Sequence, residues 1–187
     1  MPVEIRRLLP EDDRATFESG DLDLDRFFRR FAGQNQFRHH IGTTYVAVED
    51  GALLGFATVT ASELLGAQLP AARRKKLPKY PLPVLRLARL AVSRTAQGRG
   101  VGSELLRAVF VLAHRMADDS DLVTVLQRMA DDYGCVGVVV DAKEGAVTFY
   151  ERLGFFLLEV ERGQLGDRPE PRPMFLELGA IPRPEGA

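Results

Sequence analysis

The sequence of 187 residues predicts an α/β fold (α+β in some schemes), a mixed sheet flanked by helices. Three observations predict it. The apolar run Leu87–Val92 passes through a glycine-rich turn into an amphipathic helix opened by Ser103, with Leu105, Leu106, Val109 and Phe110 on one side. A second continuous β-branched run, Val136–Val140, has the composition of a strand buried on both faces. Thr43–Val48 and Leu53–Ser62 flank Glu49-Asp50-Gly51, an Asp-Gly turn that predicts a hairpin.

The remaining elements follow in chain order. Val3–Leu9 reads as a first strand, and Pro10-Glu11-Asp12-Asp13 as the cap of a short helix stopped by Phe17-Glu18-Ser19-Gly20. Asp21–Gln36 predicts one helix, with Leu24, Phe27, Phe28 and Phe31 on its buried face and Arg26, Arg29 and Arg30 off it. Pro70–Pro83 is irregular and basic, because its prolines prevent a long helix. Ser103–Arg115 is the helix after the loop, and Asp118–Asp132 an extra acidic helical stretch with a core-packing stripe at Leu122, Val125, Leu126 and Met129. Val136–Val140 then lies parallel to Leu87–Val92 through a right-handed crossover, which leaves a cleft beyond the carboxyl ends of the two strands. A helix within Asp141–Phe156, a loop Gly163–Pro173 and a final strand Met174–Leu178 complete the chain, read as one domain over 1–187.

Composition narrows the function classes. An apolar content of 45% and a charged content of 27% are those of an ordinary globular protein. The N-terminus lacks a secretory apolar region and no stretch is long enough to span a membrane, so a cytoplasmic location is expected. Cys135, the single cysteine, excludes an internal disulfide and reads as a buried structural thiol among valines. No His, Cys or carboxylate cluster has metal-ligand spacing, so no metal is expected. Charge is segregated: residues 26–99 hold 13 Lys/Arg against three acids, net +10, while the chain as a whole carries −1. A basic middle of that size suggests a surface for an anionic partner.

The loop Gln97-Gly98-Arg99-Gly100-Val101-Gly102 carries the chemistry. Glycines permit positive φ and close approach, and the first free N–H groups of the following helix point into the turn, so donors converge at the positive end of a helix dipole. That suits a phosphate or pyrophosphate. A P-loop is excluded, because Gly102 is followed by Ser103 and Glu104 rather than Lys and Ser/Thr. The dinucleotide fingerprint is excluded because the glycines alternate.

The run Gln97-x-x-Gly100-x-Gly102 resembles the coenzyme A pyrophosphate loop of GNAT N-acetyltransferases, and Ala146, Tyr150, Glu151, Gly154 and Phe155 resemble the last helix and turn of the same fold. The resemblance covers nearly the whole chain. Lys143, where many members carry Asn, and the extra helix at about 118–132 depart from it. Phe17-Glu18-Ser19-Gly20, Leu24-Asp25, Ala32, Gln34, Thr44-Tyr45-Val46, Arg86–Val92 and Val140–Lys143 are similar, in order, to the GNAT toxins of bacterial toxin–antitoxin pairs.

The resemblance implies a central mixed twisted sheet flanked by helices, acetyl-CoA as co-substrate, aminoacyl-tRNA as acceptor and a ribbon-helix-helix antitoxin as partner; a homodimer stays open. It implies that Leu90, Ala91, Val92, Gln97, Gly98, Arg99, Gly100, Val101, Gly102, Ser103, Phe149 and Tyr150 contact the coenzyme. The resemblance further implies that backbone N–H groups near Leu90–Val92 polarise the thioester and that Tyr150 is the general acid rather than only a packing residue. Arg30, Arg38, Arg73, Arg74, Lys75, Lys76, Arg86 and Arg89 are the candidate tRNA contacts. No Glu or Asp lies on Leu87–Val92 to act as base; His39 and His40 are the alternatives, though such a pair also serves structural or phosphate-contacting roles. An α-amine, with pKa about 7.7–8.0, is partly neutral without a base, unlike a lysine near ~10.4. The competing readings are a small-amine or protein N-acetyltransferase and a non-catalytic acetyl-CoA-binding module.

Overall fold

The computed structural model describes residues 3–74, 80–115, 134–159 and 171–180. Seven strands hydrogen-bond in the order β1-β2-β3-β4-β5-β7-β6. They are β1 (Glu4–Arg7), β2 (Thr43–Glu49), β3 (Ala52–Leu64), β4 (Leu82–Val92), β5 (Gly137–Ala142), β6 (Phe156–Leu157) and β7 (Arg172–Glu177). The helices are α1 (Leu22–Arg30), α2 (Ala32–Phe37), α3 (Ala71–Arg74), α4 (Val101–Arg115) and α5 (Val147–Glu151). The chain divides into two compact units, Met1–Thr60 with Leu87–Phe110, and Ala61–Arg86 with Val111–Ala187.

In the first unit β1, β2 and β3 form an antiparallel meander. The β2–β3 connection is the Asp-Gly turn, with Asp50 at φ 51° and Gly51 at φ 78°, both central residues left-handed as a tight hairpin turn requires. The short helix expected between the Pro10–Asp13 cap and Phe17 does not form. Asp12 instead accepts two hydrogen bonds from the Arg6 guanidinium, at 2.8 and 2.7 Å, and one from the Leu9 N–H at 2.8 Å, which makes a turn. The Arg6 partnership holds the Asp12 carboxyl below the usual carboxylate range.

The single helix expected over Asp21–Gln36 is two. Asp21 caps α1, its side chain accepting from the N–H groups of Asp23 and Leu24. The chain breaks at Phe31 (φ −112°, ψ −29°), and Phe31, expected on the buried face, is 44% exposed. Gly33 then passes so close to Arg14 that a β-carbon would sit 3.0 Å from the guanidinium. Phe28 stacks on Phe56 with ring centroids 4.3 Å apart, and Phe17 meets Phe28 edge-on at 4.7 Å. With Leu8, Phe27, Ala32, Val46, Val48 and Ala91 these rings form the core of this unit. Each fully buried aromatic contributes roughly 1.5–3 kcal/mol.

The second unit packs Leu64, Leu69, Leu82, Val84, Val139 and Phe175 together. β4 starts at Leu82, five residues before the sequence suggests, and α3 adds one helical turn to the segment read as irregular. Pro83 has no N–H to give, yet its carbonyl accepts from Val136 N at 2.9 Å, so the proline keeps a place in an extended strand. β5 pairs antiparallel with β7, and β7 with β6, a two-residue strand that sequence periodicity cannot reveal. Residues 118–132, most of the 163–173 loop, Lys75 and Lys76 lie outside the described residues.

Candidate active site

The glycine-rich loop lies in the first unit and Tyr150 in the second. β4 ends at Val92, and Ser93 donates its N–H to Leu54 O at 2.8 Å, which keeps the strand's exit tied to β3. A short 3-10 turn, Arg94–Ala96, carries the chain to Gln97. Gln97 donates from Nε2 to Val92 O at 3.1 Å and to Ser19 O at 2.8 Å. Gly98 and Gly100 then take φ of 78° and 84°, a region costly to any other residue. A β-carbon at either would meet no atom within 4 Å. The glycines are therefore demanded by backbone conformation, and they leave the loop's outer face open.

α4 begins at Val101, two residues before the sequence suggests, because the Gly100 carbonyl already accepts from Ser103 N at 3.0 Å and Glu104 N at 3.1 Å. The N–H groups of Val101 and Gly102 fall in the first turn, where a helix offers no internal acceptor. Val101, Leu105, Leu106 and Val109 are buried. Gly55 of β3 lets this helix sit down: a β-carbon there would lie 2.9 Å from Ala91 O and within 3.3 Å of the Val101 and Leu105 side chains. A smooth backbone patch under α4 thus fixes where its N-terminus points. That cradle fits a pyrophosphate.

Arg99 does not extend freely from the loop. Its guanidinium donates to both Glu49 oxygens at 2.8 Å, which lowers the Glu49 pKa below the carboxylate norm. Leu90 and Val92 are partly buried and Ala91 buried. Arg89 lays its guanidinium over the Phe27 ring at 3.9 Å from the centroid, and desolvation there lowers its pKa from the arginine norm.

In the second unit a 3-10 turn, Glu144–Ala146, leads into α5, which carries Phe149 and Tyr150. Phe149 is exposed and Tyr150 buried. The Tyr150 ring packs edge-on against Phe149 at 5.2 Å and Phe155 at 5.4 Å. Burial pushes its pKa up to about 12. Among the described residues its hydroxyl makes no hydrogen bond.

The candidate RNA contacts fall into two groups. Arg73 pairs with Glu177 at 2.6 Å, Arg74 with Glu159 at 2.5 Å, and Arg86 with Asp141 at 2.5 Å. Arg30 and Arg38 are exposed and form no ion pair among the described residues. His40 is left-handed (φ 54°), and His39 Nε2 lies 3.2 Å from Gln34 Nε2. Cys135 is buried, donates to Gly137 O at 3.3 Å, and has its thiol pKa raised by desolvation. Among the described residues no three His, Cys, Asp or Glu side chains gather as a metal group would, and no helix is long and apolar enough to cross a membrane.

Comparison with known proteins gives this geometry a context. Residues 40–156 match the acetyltransferase (GNAT) domain family. A tRNA-acetylating toxin of Mycobacterium tuberculosis (strain ATCC 25618 / H37Rv) is 35% identical over 127 residues, which span 68% of this chain and 75% of the toxin. AtaT complexed with acetyl-methionyl-tRNAfMet superposes with a TM-score of 0.73 at 25% identity, over 96% of this chain and 97% of the other. AtaTR bound with AcCoA gives 0.68 at 25% identity, over 96% and 95%.

Proposed function

The chain belongs to the GNAT acetyltransferase family, and from that premise we propose that it moves the acetyl group of acetyl-CoA onto the amino group of aminoacyl-tRNA, as the toxin of a toxin–antitoxin pair. The observation that carries this reading is the loop Gln97–Gly102, left-handed at both Gly98 and Gly100 and open on its outer face at the start of α4. The relative that acetylates tRNA and the neighbour solved with acetyl-methionyl-tRNAfMet support the acceptor. A ribbon-helix-helix antitoxin and a cytoplasmic location belong to the same proposal.

In this mechanism the loop amides from Gln97 to Ser103 hold the pyrophosphate, with the α4 dipole favouring its charge. Backbone N–H groups at Leu90–Val92 take the thioester oxygen as negative charge develops on it. The acceptor's neutral α-amine attacks the carbonyl carbon, the carbon–sulfur bond breaks, and Tyr150 gives its phenolic proton to the departing thiolate. The new amide nitrogen sheds one proton to solvent, and the phenolate recovers its own. No carboxylate base is needed, because an α-amine of pKa about 7.7–8.0 is substantially neutral near pH 7.5. Arg30, Arg38 and Arg89 of the first unit contact the RNA, with Phe149 beside the coenzyme. Arg73, Arg74 and Arg86 join them only by exchanging a carboxylate for a phosphate.

The test is transfer of labelled acetyl from acetyl-CoA to charged and uncharged tRNA and to lysine peptides. Acetylated aminoacyl-tRNA, without product on uncharged tRNA, is expected. Transfer to small amines or peptides with none to aminoacyl-tRNA overturns the acceptor, and no turnover on any amine overturns the catalytic reading.

A further inference from the structure

Asp25 is one of three polar side chains buried among the described residues, at 3% exposure, and neither the coenzyme loop nor the RNA contacts use it. It stands in the first turn of α1, where a carboxylate favours the helix dipole, but its side chain turns back toward the preceding segment. Oδ1 accepts the Ser19 N–H at 2.8 Å and the Ser19 Oγ–H at 2.6 Å. The Ser19 carbonyl accepts Gln97 Nε2 at 2.8 Å, and the neighbouring Glu18 carbonyl accepts Arg94 N at 2.9 Å. The Arg94 guanidinium reaches the Glu18 carboxylate at 3.2 Å. It does so across Gly20 (φ 94°), where a β-carbon would lie 2.9 Å from Arg94 Nε. Glu18-Ser19-Gly20 is thus a clamp on the entrance of the Gln97–Gly102 loop, with a buried carboxylate behind it.

We propose that Asp25 and Ser19 are positioning residues for coenzyme binding: Asp25 fixes Ser19, and the Ser19 carbonyl fixes Gln97 at the head of the loop. Both amide hydrogens of Gln97 are committed, one to Ser19 O and one to Val92 O. Gln97 therefore serves as a brace, and its side-chain donors are not free for a phosphate. The pyrophosphate-facing amides further along the loop hold their places because this brace is taut. The inference rests on the proposal that acetyl-CoA binds at Gln97–Gly102.

Calorimetric binding of acetyl-CoA and steady-state kinetics test it on Asp25→Ala, Ser19→Ala, Gln97→Ala and the Asp25→Ala/Gln97→Ala double variant. Asp25→Ala and Gln97→Ala are each expected to raise the acetyl-CoA Kd and KM about tenfold, a change of about 1.4 kcal/mol. Ser19→Ala, which keeps the backbone bond and the fold, should raise them about threefold. The double variant should also stay near tenfold, since both changes cut one linkage. Saturating kcat and the acceptor KM should hold in Asp25→Ala and Ser19→Ala. A merely structural Asp25 lowers the melting temperature and leaves the Kd of the folded fraction alone, and that result overturns the inference. So does a double variant near a hundredfold. If Asp25→Ala does not fold, unchanged acetyl-CoA affinity in Ser19→Ala is overturning by itself. A wild-type chain that fails to bind acetyl-CoA overturns both readings; weakened Gln97→Ala beside unaffected Asp25→Ala and Ser19→Ala overturns this one alone.

Discussion

Arg99 and Glu49 form a two-pronged ion pair, with one guanidinium nitrogen 2.8 Å from each carboxylate oxygen. The pair ties the middle of the glycine loop to the last residue of β2. It also occupies the only cationic side chain between Gln97 and Ser103. A phosphate arriving at the loop must compete with Glu49 for that cation.

Glu49→Gln should therefore bind acetyl-CoA more tightly. The pair is exposed and salt screens it, so the gain should be only roughly two- to fivefold in calorimetric Kd at low salt and shrink as salt is added. The Glu49 pKa is depressed, so the pair is present at neutral pH and is lost only as pH falls through that lowered value. Weaker binding by Glu49→Gln would assign the pair to holding the loop instead.

Gly100→Ala should cost acetyl-CoA affinity at least tenfold while the chain stays folded. At φ 84° an L-residue is strained by about 1–2 kcal/mol, but its methyl meets no protein atom within 4 Å. Gly51→Ala is the matched control, because Gly51 is equally left-handed (φ 78°) and equally uncrowded but sits in the hairpin turn. Equal losses in the two variants would show a general backbone effect and not a coenzyme cradle.

Tyr150→Phe should lower kcat by about 10²–10⁴ with acetyl-CoA affinity unchanged. The hydroxyl has no hydrogen-bond partner among the described residues, so its removal should shift the melting temperature by little. Near wild-type turnover would leave Tyr150 as packing against Phe149 and Phe155.

The pH–rate profile should rise through the amine's ionisation near pH ~8 and then stay level to about pH 10. The Tyr150 pKa is raised to about 12, so the phenol keeps its proton across that whole range. The same sign makes folding less stable above pH ~10, where an unfolded tyrosine ionises and the buried one does not. An alkaline limb at pH 8–10 that disappears in Tyr150→Phe would contradict the buried phenol.

Charge reversal at Arg30 or Arg38 should lower the slope of tRNA affinity against salt by more than reversal at Arg73, Arg74 or Arg86. Each lost phosphate contact removes about one unit of slope. The three arginines of the second unit already hold Glu177, Glu159 and Asp141. Salt titration of tRNA binding checks it.

The strand–loop–helix unit was legible from the sequence because its determinants are local: an apolar run, glycines where φ must be positive, an amphipathic stripe. The GNAT resemblance and its toxin-like segments were legible for the same reason, as short motifs in order, and the family match over residues 40–156 bears out the fold. What was not legible depends on distant partners. Asp12 looks like a helix cap until Arg6 takes its carboxylate. Phe31 fits the apolar stripe until the chain breaks there to bring Gly33 onto Arg14. The basic cluster counts as a patch of free cations until Arg74 meets an acid 85 residues away and Arg86 one 55 residues away. Gln97 reads as a coenzyme contact, and only the fold shows its side-chain amide donating to the Ser19 and Val92 carbonyls.

Cys135, the chain's single sulfhydryl, is buried and resists ionisation. Thiol reagents act on thiolates that they can reach, so the native protein should be silent toward them. Every equivalent of colour in a disulfide-exchange assay then reports a coenzyme thiol released by turnover, and the enzyme can be used at high concentration without a blank. A slow signal of one equivalent per chain, appearing without substrate, would mark unfolding, which makes the same assay a clock for the stability of each variant above.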